Sequence, residues 1–369
     1  MSRLLRVVLT CALAGVTIAC GSKAPIAFFD RPLPLLLWLG ESTKPFGTSY
    51  PGIPADPRFG SLSGMAPDAS SKEWIAVSDD RDRSRVAWLS VSYGPNGLEV
   101  VPTRMRELQA GTGVVERIAT RADLEAIVAL DDGTFIAAEE GHRLDSGEVW
   151  QPVLLHLTRE GLVTSVIGFP KGFQLTTDGK TGVRDNQGFE ALAVTPGGRL
   201  IAGLEQPLLQ DGKVTFERGA AGRLVEFKPE QSTFKPGRQW RYMISPTPRV
   251  EGFDELCSGG ENGLVELLAF SETTLVSMER ACLITKDQQF AANAVQLFSV
   301  ELIGGDARKQ LLLDFQTIIP RLSPALSRLE NFEAMAFGPI VNGMKSLLIG
   351  SDDNFRAAQK TSFLLFGMK

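Results

Sequence analysis

The chain has 369 residues, 43% of them hydrophobic, with 37 glycines, 21 prolines and a formal net charge of −5. That length supports a large core, the glycine and proline content favours many turns over long helices, and the acidic balance excludes a basic nucleic-acid footprint. An acidic protein that handles phosphate or carboxylate groups needs a bound cation or a local arginine cluster to do so.

Residues 1–20 read as an export signal. Arg3 and Arg6 precede an apolar run from Val7 to Ala19 that is too short to span a bilayer. The run ends Thr17-Ile18-Ala19-Cys20-Gly21, which resembles the lipobox of bacterial lipoproteins with Thr17 in place of the usual leucine. On this reading Cys20 is the lipidated N-terminus, 21–24 is a tether, and the lipid is the sole membrane contact. The mature chain then lies in the bacterial envelope facing the periplasm; the alternative is cleavage nearby to give a soluble periplasmic or secreted protein. Cys11 falls inside the signal, so only Cys257 and Cys282 remain to pair in an oxidising compartment.

From residue 25 the pattern is all-β. The apolar segment 25–40 comes first, and then one unit recurs. Its opening hairpins are LSGMAPDASSKEWIAVSDD (62–80), DLEAIVALDDGTFIAAEE (123–140), FEALAVTPGGRLIAGLE (189–205), GLVELLAFSETTLVSMER (263–280) and NFEAMAFGPIVNGMKSLLIGSDDN (331–354). Short apolar runs split by Pro-Gly or Asp-Gly turns are hairpin signals. A third strand follows each hairpin, as in RVAWLSVSY (85–93) and AVQLFSVEL (294–302), and a fourth follows in most copies, as in KQLLLDF (309–315). Four strands per unit of 61 to 76 residues describe a single β-propeller of four-stranded blades over 25–369. Five blades are counted, with six as the alternative. The last copy stops after its third strand, so part of 25–40 is expected to supply the missing outer strand and close the ring.

Aligned on Gly64, Glu125, Glu190, Glu266 and Glu333, each hairpin also returns an acid to the same end: Asp79, Glu139, Glu205, Glu279 and Asp352. Ring symmetry gathers these ends on one face as a collar. Like charges so gathered require protonation, intervening arginines or a bound cation. Calcium suits the collar, because it takes six to eight oxygen ligands in flexible geometry. Glu125, Glu190, Glu333, Asp352 and Asp79 are the expected ligands. Zinc is a poor fit, since His142 and His156 are the only histidines and neither has a cysteine near it in sequence. The competing roles are structural: a glutamate opening an inner strand also bonds backbone amides of the next blade, and Arg81, Arg143, Arg280 and Arg356 can neutralise the collar.

For hydrolysis, Glu139 or Glu205 would orient or deprotonate water. Arg280 and Arg356 would clamp an oxyanion, and His142, beside the collar, is the better histidine for acid–base work. Serine nucleophiles are not supported: Gly60-Ser61-Leu62-Ser63-Gly64 places leucine where a serine elbow needs its nucleophile. Cys257 precedes the fourth hairpin and Cys282 follows it, so the geometry that joins the acids also predicts a Cys257–Cys282 disulfide.

The blocks NQGFEALAVTPGGRLIAGLEQPLLQDG (186–212), VSMER (276–280) and GSDDNFRAAQKTSFLLF (350–366), with those opening the first two hairpins, resemble the bacterial phytase-like family, also called esterase-like activity of phytase proteins. The resemblance covers roughly residues 60–369. It implies an exported β-propeller and a phosphoester or carboxylester hydrolase, and it assigns no catalytic residue. The expected activity is therefore calcium-dependent hydrolysis of a small phosphorylated or ester substrate. The alternatives are a lactonase and a non-catalytic propeller that binds an envelope protein or polysaccharide.

Overall fold

The computed structural model describes residues 35–369 apart from Ser70 and Ser232. The export signal, Cys20, the tether and residues 25–34 lie outside the described residues. The chain forms five four-stranded antiparallel units, each meandering from an innermost to an outermost strand. The first comprises Leu62–Asp68, Glu73–Ser78, Arg85–Gly94 and Gly97–Glu107. The second comprises Leu124–Ala129, Phe135–Glu139, Val153–Leu157 and Leu162–Gly168, and the third Phe189–Val194, Leu200–Leu204, Ala220–Glu230 and Thr233–Ile244. The fourth is Gly263–Ala269, Thr274–Ile284, Ala291–Ile303 and Asp306–Asp314. The fifth has Asn331–Phe337, Ser346–Asp352 and Lys360–Met368. Its outermost strand is Leu36–Pro45, paired antiparallel with Lys360–Met368 from Leu36–Met368 to Pro45–Lys360. The ring is thus closed by an N-terminal strand.

Alternation along the strands builds the core. In the second unit Leu124 and Ile127 pack toward the first unit, while Ala126 and Val128 pack toward the third. The same two-sided burial repeats between units three and four, four and five, and five and one. Every inner strand is apolar on both faces because a neighbour covers each. Hairpin turns follow local rules: in Thr195-Pro196-Gly197-Gly198, Gly198 takes φ +80° and donates its N–H to the Thr195 carbonyl at 2.8 Å. The outermost strands of units three and four also pair in parallel at Arg241–Asp306 and Tyr242–Ala307. Among the described residues the only α-helix is Glu116–Thr120, and no helix is long and apolar enough to cross a membrane.

All five inner strands carry a β-bulge at the same height. The register skips one residue between Leu62 and Gly64, Leu124 and Ala126, Phe189 and Ala191, Leu264 and Glu266, and Phe332 and Ala334. The bulged residues are Ser63, Glu125, Glu190, Val265 and Glu333. A bulge leaves one residue unpaired and re-aims its side chain; here Glu125 and Glu190 are re-aimed into clusters of carboxylates, whereas Val265 packs into the core between units four and five.

Candidate metal centre

The bulges set which acids meet. The residue following the bulge partner in the second strand is Asp79, Glu140, Glu205, Arg280 or Asp352. This corrects the sequence reading at two of the five units. Glu140, not Glu139, occupies the collar, and Arg280, not Glu279, does so in unit four. Glu139 instead lines a neighbouring cavity of about 160 Å³ with Arg117, Arg121 and Trp150. Burial pushes its carboxyl up to about 8, and it belongs to neither acidic cluster described below. Glu279 is fully buried between units three and four. It accepts hydrogen bonds from Tyr242 Oη (2.8 Å), Ser245 N (3.1 Å) and Asn262 Nδ2 (2.8 Å) and is ion-paired with Lys309.

Glu266 also leaves the collar. Its aligned counterparts are Gly64, Ala126, Ala191 and Ala334, and Val265 takes the bulge. Glu266 Oε1 accepts the Leu192 and Leu267 amides at 3.3 and 2.9 Å, and Met335 contributes a further backbone hydrogen bond. It therefore ties the inner strands of units three and five together. Gly64 packs so tightly on unit two that a Cβ would lie 2.7 Å from Ala126 Cα.

Two groups of carboxylates remain. In each, one oxygen per residue lies within 4.8 Å of the others: Asp123, Glu125 and Glu140 form the first, and Glu140, Glu190 and Glu205 the second. Glu140 belongs to both. Burial, followed by repulsion from neighbouring carboxylates, raises Glu125, Glu140 and Glu190 well above the usual carboxylate range. Burial also lifts Glu205 to about 8. Arg81 lies 2.6 Å from Asp123 and 4.0 Å from Glu140, so the first group already holds a guanidinium. The second is neighboured by Arg81 through Glu140 and by Arg280, which acts on Glu190 and Glu205. Glu140 Oε2, Glu190 Oε2 and Glu205 Oε2 are buried without a hydrogen-bond partner. Burying ionised oxygens in this way is unfavourable unless protons or a cation accompany them. An all-oxygen, all-carboxylate set of this kind fits a hard divalent cation such as calcium.

The other expected ligands are differently engaged. Glu333 is ion-paired with Arg280, and burial lifts its carboxyl to about 7 despite that partner. Arg280 is buried and serves the collar as a counter-ion, with its Nε unpartnered. Asp352 accepts Ser61 Oγ (2.8 Å), Asn331 Nδ2 (3.0 Å) and the Asn354 amide (2.6 Å), so donors already occupy both its oxygens. Asp79 sits at the edge, raised to about 7 by burial and by its neighbours Asp123 and Glu333. Arg356 is exposed and pairs with no collar acid among the described residues. Arg143 turns away to the Thr176 carbonyl at 2.6 Å. His142 is buried edge-on to Trp150, with ring centroids 4.7 Å apart and Nδ1 unpartnered. Burial lowers its pKa, and it lies outside both groups. Asp123 and Glu140 were not among the acids read from sequence. The separation of 15 residues from Glu190 to Glu205, applied to Glu125, points to Glu140 and, applied to Val265, to Arg280.

The Cys257–Cys282 disulfide is present, with Cα atoms 5.4 Å apart. The loop it holds reaches the second acidic group: Gln206 Nε2 donates to the Asn262 carbonyl at 2.9 Å, and Gly263 packs on the Glu205 side chain.

Among solved structures the chain is similar to a gluconolactonase from Xanthomonas campestris, with 12% identity, 92% of this chain and 99% of that one covered, and a TM-score of 0.36. It is also similar to a glycosyl hydrolase from Bacteroides ovatus, with 10% identity, 89% and 93% covered, and a TM-score of 0.46. A search of curated proteins found no match. The sequence profile of the phytase-like family, described as esterase-like activity of phytase, matches residues 57–355, and the chain belongs to that family.

Proposed function

We propose that the protein is a calcium-dependent ester or phosphoester hydrolase of the bacterial envelope, working at the mouth of its propeller. The observation that carries this reading is the convergence of three buried carboxylates, Glu140, Glu190 and Glu205, whose Oε2 atoms have no hydrogen-bond partner. These three would hold the ion, which when bound supplies a Lewis acid for a carbonyl or phosphoryl oxygen. Glu140 is fixed by the Gly188 amide at 2.9 Å on its other oxygen, so its free oxygen is pre-aimed. Glu125, grouped with Glu140 and Asp123, would take a proton from attacking water. Arg81, anchored by Asp123 and by Asn186, presents a half-exposed guanidinium beside the same carboxylates, suited to a developing oxyanion. Arg280, ion-paired with Glu333, also lends positive charge to Glu190 and Glu205. The disulfide supports an oxidising compartment, in keeping with export and a lipid anchor at Cys20.

The test is an assay of purified protein on p-nitrophenyl phosphate, phytate, p-nitrophenyl acetate and lactones, with calcium or EGTA. Hydrolysis of an ester or phosphoester is expected to require calcium and to fall at least about 100-fold in Glu140→Gln. Turnover confined to lactones would move the reading to a lactonase. No turnover on any of them would leave a binding propeller.

A further inference from the structure

The cavity that Glu139 lines lies outside the collar, between the short helix Glu116–Thr120 and unit two. Its volume of about 160 Å³ is close to the roughly 150 Å³ that accommodates a molecule the size of benzene. It combines a basic entrance with an acidic floor.

Arg117 and Arg121, four residues apart and so on one side of the helix end, both line the cavity. Their guanidinium groups lie over Trp150, 4.7 and 5.7 Å from its ring centroid. Their side chains are 42% and 52% exposed, which places them at the entrance. Their carboxylate partners are exposed as well: Glu148 lies 3.6 Å from Arg117, and Asp82 lies 3.3 Å from Arg121. Surface pairs of this kind contribute little, and each guanidinium has five N–H donors, so donors remain. Trp150 is itself fixed. His142 packs edge-on to it at 4.7 Å, and its Nε1 donates to Glu148 Oε1 at 3.0 Å.

Glu139 is 4% exposed and forms the floor. Its carboxyl is hydrogen-bonded by the Gly141 and Asp123 backbone, but it makes no ion pair among the described residues, and Arg81 is committed to Asp123. A buried carboxylate without a cation is unfavourable. Ile118, Val149 and Val153 supply the apolar part of the wall. A simple anion entering here meets Glu139, and a simple ammonium must pass two guanidinium groups. A molecule carrying both charges suits both ends.

We propose that this cavity binds a small zwitterionic amino carboxylate, such as an aliphatic α-amino acid. Its carboxylate lies on Arg117 and Arg121, its ammonium on Glu139, and its side chain on Ile118, Val149 and Val153. Charge-assisted hydrogen bonds at both ends give orientation, and the fixed Trp150 limits the ordering that binding requires.

The test is calorimetric titration of L-valine into the full chain in EGTA, with isovalerate, which lacks the ammonium, and isobutylamine, which lacks the carboxylate, as comparisons. No calcium is present, so the outcome is independent of the hydrolase reading. L-Valine should bind saturably in the millimolar range or tighter, and each comparison compound at least about tenfold more weakly. Glu139→Gln, which keeps the shape of the side chain and removes its charge, should weaken L-valine binding at least about tenfold. Arg121→Gln should weaken it about threefold to tenfold. Arg121 is exposed at the helix end, so this variant decides the matter if Glu139→Gln does not fold. Absence of saturable L-valine binding would overturn the assignment. So would parent-like binding in Arg121→Gln or in folded Glu139→Gln, or isovalerate or isobutylamine binding as tightly as L-valine.

Discussion

At the entry to unit three, a Cβ on Gly188 would lie 2.8 Å from the Glu140 carbonyl oxygen and 2.9 Å from its Cγ. The glycine lets the neighbouring unit's carboxylate lie flat over the backbone, where the Gly188 amide fixes it. Gly188→Ala is therefore expected to destabilise the fold by about 1–3 kcal/mol and to weaken calcium binding, measured by denaturant unfolding and calorimetry. Parent-like values in both would show that Glu140 is not held as described. The acids were legible in sequence as residue types at hairpin ends, but not all as positions. Neighbours in a strand point to opposite faces, so a slip of one residue separates Glu139, in a side cavity, from Glu140, in the collar. In unit four the slip separates Glu279, paired with Lys309, from Arg280, paired with Glu333. The interval from Glu190 to Glu205 contained the correct register; aligning on the nearest glutamate overrode it.

At the scale of elements, the hairpins, the third strands and the closing N-terminal strand were all readable from alternation and turn residues. The bulges were not, because a bulge adds a residue without altering hydrophobic pattern: Val265 and Glu266 are both compatible with an inner strand. The closing strand joins the two ends of the chain and removes an open edge. Trp38 packs edge-on against Phe366 at 5.4 Å, within the core between units four and five. Trp38→Ala should lower stability by about 2 kcal/mol, less than a fully buried tryptophan would cost. A denaturant midpoint unchanged from the parent chain would mean that the strand contributes little to closure.

At the scale of the molecule, the ring converts five similar hairpins into one acidic mouth. Units two and three bring Glu125, Glu140, Glu190 and Glu205 together, with Arg81 of unit one and Arg280 of unit four as the neighbouring counter-charges. The consequence is a pH dependence with a definite sign. Glu205, raised to about 8, and Glu140 and Glu190, raised well above the ordinary range, hold protons in the folded chain that the unfolded chain has already lost. Where the folded state binds more protons, stability falls as pH rises, here from about pH 4.5 to about pH 8. A bound cation replaces those protons, so its effect grows over the same window. The decisive measurement is the melting temperature of the full chain across that window, in EGTA and in calcium. Without calcium it should fall as pH rises, and calcium should restore it at pH 8 but hardly at pH 5, with Glu140→Gln abolishing the restoration. A melting temperature indifferent to calcium at every pH would contradict a cation centre in the collar.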